Sequence, residues 1–433
     1  MKNANSPLSL IQNNEGHYQI AGISLKDLTE QYGSPLYVID QKTIEANCAA
    51  YTETLKNYYP NSCVYFAAKA NINIGLLDLL NEQDLGADVV SLGELYTALQ
   101  SRIPSERCLL HGNNKSDEEL RLAIENNVLI VIDNFDELLQ IKTLIKKNEV
   151  LRCLLRFNPD ILTNTHRHIQ TGHAGSKFGM DKEACIKCIQ FINKNPALHC
   201  LGLHSHIGSQ ILDLQPYLDL IQQSCSFLKY LKDSEAFEAT HLNLGGGMGI
   251  AYQKDDPKVP ISRHIKSICE SLIQSCKDFK LKQPMLLLEP GRSIVGTAGI
   301  TLYTVGRCKE SGPSSFIFVD GGMSDNPRPI MYDAAHDFDL EKSDSNKEKK
   351  HYDIAGKFCE TGDILGRQIL LESPQKGDIL FTRATGAYNY AMASNYNRAR
   401  KPAMVLVNEG QSQILVDRES LADIIAKDRP LEC

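Results

Sequence analysis

The stretch VYFAAKANINIGLLDLL (residues 64–80) decides how this chain is read. A short apolar run ends near a lysine, Lys69, with an alanine on either side, and a helix-patterned segment follows. A strand buried on both faces reads as such a continuous apolar run, and a helix is the usual route to the next parallel strand. An ammonium group at the end of that strand is costly to bury unless something there needs it.

The same unit recurs outward from this point. LYVID at residue 36 leads into a helix, and eight further apolar runs follow. They are VYFAAK at 64, ADVVS at 87, RCLLHG at 107, LIVID at 129, LRCLLRF at 151, LGLHSHIG at 201, HLNLGGG at 241 and MLLLEPG at 285. Segments between them, such as YLDLIQQSCSFLKYL and SICESLIQSCKDF, repeat apolar residues with helical period. Eight strands each followed by a helix predict an α/β fold, a (β/α)8 barrel within residues 36–291. A doubly wound open sheet is the alternative. After Gly291 the runs SIVGTAGITLYTVGRC, SSFIFVDGG, HYDIAGKF, GDILFTRATGAY and PAMVLVNEGQSQILV are broken by Gly, Pro and Asp. They predict a mainly β domain over 292–433, which the first 35 residues join through HYQIAGIS. The charged stretch HDFDLEKSDSNKEKKH (336–351) reads as an exposed loop.

Composition narrows the function. The 433 residues are 42% hydrophobic and 23% charged, with a net charge of −7. That balance gives no attraction to nucleic acid or to an anionic membrane. No apolar run of about 18 residues and no signal-peptide pattern occurs, so a cytoplasmic location is expected. The 13 cysteines are scattered. CIKC (185–188) falls in a helical pattern with no second pair, so free thiols are expected there and no metal site.

Barrels of this kind place their working residues at the C-terminal ends of the strands. The unusual residues fall there: Lys69; Asp88 and Glu94; Arg156; His204, His206 and Ser209; Gly245, Gly246 and Gly247; Glu289, Gly291 and Arg292. Each alone has a bland reading. A lysine can snorkel, a histidine can be a satisfied core residue, and a glycine run can be a turn. Placed together, they suggest a phosphate and an aldehyde. Consecutive glycines let backbone N–H groups approach an anion, with Ser209 and the Gly291–Arg292 turn as further donors. A nearby lysine can form a Schiff base. A carboxylate such as Glu289 can pair with a protonated pyridine nitrogen, and His206 can stack on the ring. These properties describe pyridoxal 5'-phosphate. No Walker-type phosphate loop is present.

YFAAKAN, GADVVSLGEL, HSHIGSQ, NLGGGMGI and EPGR resemble the marks of the barrel-type (fold-type III) pyridoxal phosphate enzymes. VDGGMSDNPRPIMYDAAH, CETGDILG and GAYNYAMASNYN resemble those of the diaminopimelate decarboxylases within that group. The resemblance implies decarboxylation of meso-2,6-diaminopimelate to L-lysine and CO2, the last step of lysine biosynthesis. It implies catalytic roles for Lys69, as the cofactor's Schiff-base lysine, and for Cys359, as a proton donor. The implied cofactor contacts are His206, Ser209, Gly246, Gly247, Glu289, Pro290, Gly291, Arg292 and Tyr388. The implied substrate contacts are Arg292, Arg328, Tyr332, Glu360 and Tyr388. Cys359 and Glu360 would serve the neighbouring subunit's site, so a homodimer is expected. Thr385 stands where family members often carry an acidic residue before GAY, and reads as structural. A related decarboxylase of a polyamine precursor or another amino acid, a racemase, and a non-catalytic pyridoxal phosphate carrier are the rival readings.

Overall fold

The computed structural model describes residues 3–147, 149–161, 177–343 and 347–431. It divides into two compact units. The first comprises Ala46–Gly249 and Val259–Ile294. Its strands are Ser62–Ala67, Gly86–Val89, Cys108–Leu110, Leu129–Ile132, Leu151–Arg156, Leu198–His204, His241–Asn243 and Met285–Leu288. Each pairs in parallel with its sequence neighbour, and Met285–Leu288 pairs with Ser62–Ala67 to close a barrel. All eight anticipated runs are barrel strands, and closure removes the open-sheet alternative.

Tyr65, Leu109, Leu129, Val131, Leu154, Leu201 and Leu287 meet in one buried cluster. Burying each such side chain contributes about 1.5–3 kcal/mol. The helices lay apolar stripes toward the buried side: Ile265, Ile268, Cys269, Leu272 and Cys276 are buried along Ile261–Asp278, a 3.6-residue spacing. Side-chain caps start many of them. Asn73 accepts from Leu76 N, Ser91 from Glu94 N and Asn134 from Glu137 N. A strand therefore ends and its helix begins within a few residues, which fixes the loops where the unusual side chains sit.

A buried ion pair braces two of these loops. Lys115 Nζ donates to Glu137 Oε1 at 2.7 Å and to the carbonyls of Gly112 (2.8 Å) and Val131 (2.7 Å). Cys185 and Cys188 are buried free thiols on helix Lys182–Ile192.

The second unit comprises Met1–Glu45, Ile250–Lys258 and Val295–Cys433. Its main sheet has nine strands. The 13-residue strand Gly299–Ser311 pairs with Leu36–Asp40, Ser314–Val319 and Ile379–Arg383. LYVID thus belongs to this sheet, where Ala403–Asn408 is its parallel neighbour. The strand Ile364–Glu372, not anticipated as a strand, pairs with Lys349–Ala355. The stretch 336–351 also departs from the loop reading. Phe338–Leu340 is a strand with Phe338 and Leu340 buried, and Lys349–Ala355 is another; residues 344–346 lie outside the described residues. Two apolar clusters, one around Leu36, Val38, Ile300 and Phe381 and one around Tyr303, Ile317, Ile354 and Leu365, hold the unit together. Thr385 is buried and accepts a hydrogen bond from Thr301 Oγ1 at 2.8 Å.

Candidate active site

Every barrel strand carries a polar side chain at or just beyond its C-terminal end: Lys69, Asp88, His111, Asp133, Arg156, His204, Asn243 and Glu289. Five of these stood out in the sequence. His111, Asp133 and Asn243 did not, although each directly follows or ends a short apolar run, which was the available signal.

Glu289 is the hub. Its buried carboxylate accepts from His111 Nε2 at 2.9 Å, His204 Nε2 at 3.3 Å and Asn243 Nδ2 at 2.6 Å. Burial alone would raise this carboxyl, but the imidazoles of His111 and His204 and their hydrogen bonds hold it well below the usual range. Hydrogen bonds to the charged form have this effect. Burial pushes His204 down to about 4 and lowers His111. Among the described residues His204 Nδ1 has no partner, which puts the proton on the nitrogen facing Glu289. The three residues also have the spacing of metal ligands, within 4.8 Å of one another, but their contacts are those of hydrogen bonds. Burial, with Glu289 adding to it, raises Asp88 far above the ordinary carboxylate value.

Lys69 lies in a single turn, Ala68–Ala70, after the first barrel strand. That turn is packed against the Glu289–Arg292 turn. Ala67 N donates to Pro290 O at 3.1 Å, and a Cβ on Gly291 would lie 3.0 Å from the Cβ atoms of both Ala67 and Ala70. Lys69 is exposed between buried alanines. Its charge adds to the burial that lowers His111 and His206, and opposes the burial that raises Asp88 and Glu94.

The glycine run lies beside these groups. Glu289 N donates to Gly245 O at 2.8 Å. A Cβ on Gly246 would lie 1.9 Å from Glu289 O. Gly247, at φ +100°, would place one 2.3 Å from Gly208 O. Gly246 N donates to His206 Nδ1 at 3.3 Å, and Arg292 donates to Ser209 Oγ at 2.9 Å. The barrel thus brings together Lys69, His206, Ser209, Gly246, Gly247, Glu289, Pro290, Gly291 and Arg292. This donor set fits pyridoxal 5'-phosphate: an amine for its carbonyl, an ionised buried carboxylate for its ring nitrogen, and a guanidinium, a hydroxyl and glycine backbone for its phosphate.

The remaining anticipated residues lie in the second unit. The Arg328 guanidinium is 4.9 Å from the ring centre of Tyr252, 5.6 Å from that of Tyr332 and 5.9 Å from that of Tyr388. A hydrogen bond from Asn389 Nδ2 to Asn326 Oδ1 (2.7 Å) ties the Arg328 and Tyr388 loops. Tyr388 adopts φ +60°, a rare backbone conformation for a bulky residue, of the kind that gathers at functional sites. Cys359 and Glu360 are exposed, and Tyr396 donates its hydroxyl hydrogen bond to Glu360. Tyr252 and Tyr396 were not anticipated; Tyr252 stands in no marked pattern, and Tyr396 lies within the quoted GAYNYAMASNYN stretch without having been singled out there.

Residues 41–296 match the family of pyridoxal-dependent decarboxylases, in its pyridoxal binding domain. The chain is 39% identical to the diaminopimelate decarboxylase of Synechocystis over 98% of this chain and 92% of that one. It is 39% identical to the Bacillus subtilis diaminopimelate decarboxylase, covering 97% of both chains. The crystal structure of the M. jannaschii diaminopimelate decarboxylase in complex with L-lysine superposes with a TM-score of 0.90 at 35% identity, covering 99% of each chain.

Proposed function

This chain belongs to the diaminopimelate decarboxylases, within the pyridoxal-dependent decarboxylases, and on that premise we propose the part each residue takes in converting meso-2,6-diaminopimelate to L-lysine and CO2. The observation that carries the assignment is the barrel end itself: the turn that carries Lys69 packed, through Ala67 and Ala70, against the turn that bears Glu289, with three hydrogen bonds on that carboxylate. When bound, pyridoxal 5'-phosphate supplies an electron sink for the pair left on the α-carbon as CO2 departs. Lys69 offers the amine that holds the cofactor's aldehyde. Glu289, kept ionised by its donors, favours the protonated ring nitrogen. His206 provides a neutral ring face. Ser209, Arg292 and the glycine backbone bind the phosphate.

Arg328 takes a substrate carboxylate, which a planar guanidinium can grip with two hydrogen bonds. Tyr332 and Tyr388 flank that guanidinium and take part in substrate binding, Tyr388 serving the cofactor as well, and Arg292 is a further substrate contact. Glu360 takes the distal ammonium group, oriented by Tyr396. Cys359 delivers a proton to the α-carbon, a task suited to a thiol because its ordinary pKa is close to neutrality.

Cys359 and Glu360 serve the site of a second copy in a homodimer; their exposure in the protomer supports this. The enzyme works in the cytoplasm, a reading supported by twelve described cysteines that are all free thiols. Among the described residues no helix is long and apolar enough to cross a membrane.

The test is CO2 release by purified holoenzyme from meso-diaminopimelate, ornithine, arginine and lysine. The reading expects the highest kcat/KM with diaminopimelate; a higher value with ornithine or arginine would transfer the assignment to a polyamine-precursor decarboxylase. Mixing inactive Lys69→Ala and Cys359→Ala variants should restore activity through mixed dimers. No recovery in mixtures shown to exchange subunits would remove the shared site.

A further inference from the structure

Asp363 ends the CETGD segment and has no part in the roles above. Its side chain is buried, 2% exposed, directly after the exposed Gly362. Oδ1 accepts from Met323 N at 2.7 Å and Oδ2 from Phe358 N at 2.9 Å. Its own carbonyl accepts from Gly356 N at 2.9 Å, and its N–H donates to Glu360 O at 3.1 Å. One residue therefore bridges two loops. One starts at Gly321 and runs into Arg328; the other presents Cys359 and Glu360. A second stitch, Lys357 N to Gly321 O at 3.1 Å, joins the same loops.

Both loops carry glycine where the carboxylate passes. A Cβ on Gly322 would lie 2.7 Å from each Asp363 oxygen, and one on Gly356 would lie 2.2 Å from Oδ2. Asp325 Oδ2 fixes the Gly321–Met323 turn by accepting from Gly322 N at 2.9 Å.

We propose that Asp363 is a positioning residue for the decarboxylation, holding the Cys359–Glu360 turn in register with the loop that carries Arg328. The inference rests on the roles proposed above for Cys359, Glu360 and Arg328. A carboxylate accepting from two backbone N–H groups makes charge-assisted bonds, stronger and more directional than neutral ones. Releasing them lets the thiol and the distal-ammonium acceptor drift from the guanidinium. A drift of about 1 Å in a substrate-positioning group costs on the order of 10²-fold in rate.

The experiment compares Asp363→Ala, Asp363→Asn, Gly356→Ala and Glu360→Gln as holoenzymes. It measures cofactor absorbance, thermal midpoint, and kcat/KM for meso-diaminopimelate and for 2-aminopimelate, which lacks the distal amine. Asp363→Ala and Gly356→Ala should keep cofactor absorbance and lose on the order of 10²-fold in kcat/KM for diaminopimelate. Their preference for diaminopimelate over 2-aminopimelate should fall as it does in Glu360→Gln, and adding Asp363→Ala to Glu360→Gln should lower that preference no further. If Asp363→Ala fails to fold, Asp363→Asn and Gly356→Ala carry the test. Equal losses on both substrates, in proportion to lost folded protein, would reduce Asp363 to a structural residue and overturn the inference. A shift in preference with Glu360→Gln but none with the Asp363 and Gly356 variants would overturn it alone. No shift with Glu360→Gln would overturn the role of Glu360 and the inference together.

Discussion

His111 Nε2 lies 2.9 Å from Glu289 Oε1, and the two residues come from the ends of the third and eighth barrel strands. Closure of the barrel brings them together across 178 positions of sequence. Burial lowers the imidazole, and in the role proposed for Glu289 its hydrogen bond supports a carboxylate that stays charged beside a protonated ring nitrogen.

His111→Phe should keep the ring's shape and remove that donor. A hydrogen bond to a charged group contributes about 1.5–3 kcal/mol, so kcat/KM should fall roughly 10- to 100-fold. Cofactor affinity should weaken while the fold persists. Steady-state kinetics and a cofactor titration check this; unchanged values would show that His204 and Asn243 suffice.

The Lys115–Glu137 pair makes a stability prediction. Burial lowers the lysine and raises the glutamate, and each charge opposes the shift of the other. Removing one partner strands a buried charge. Lys115→Met should therefore destabilise by about 3–5 kcal/mol, and Lys115→Met with Glu137→Leu should recover much of the loss. Denaturant unfolding of both variants measures this, and a single variant as stable as wild type would contradict it.

Asp325 gives a pH dependence. Burial pushes its carboxyl up to about 7, despite the hydrogen bond from Tyr303. A carboxyl with a raised folded-state pKa binds its proton more tightly in the native state. The resulting stability is present at low pH and is lost as pH rises from about 4 through about 7, by roughly 4 kcal/mol in all. The thermal midpoint of wild type should thus decline relative to that of Asp325→Asn as pH rises across this window. A constant or widening advantage for wild type would refute the assignment.

Much of this was legible in the sequence, for a physical reason. Strands buried on both faces must be continuously apolar, so a charged residue at such a strand's end stands out. Lys69, Glu289 and Arg156 were visible this way. His111 and Asn243 were not, because their strands are three residues long and their significance is a hydrogen bond to a residue far away in sequence. LYVID shows the opposite limit. It has the composition of a barrel strand, and only its partners, Gly299–Ser311 and Ala403–Asn408, decide that it joins the other sheet. Phe338 and Leu340 were masked by their charged neighbours. Asp363 and Tyr396 lie inside the quoted CETGDILG and GAYNYAMASNYN stretches, but they act on backbone or on another side chain, and only the fold shows those partners.

The central claim is tested most directly by reducing the holoenzyme with borohydride, digesting it and locating the pyridoxyl group by mass spectrometry. The account predicts one group per chain, on the Lys69 peptide, and neither label nor visible cofactor absorbance in Lys69→Ala. A label on another lysine, or undiminished absorbance in Lys69→Ala, would contradict it.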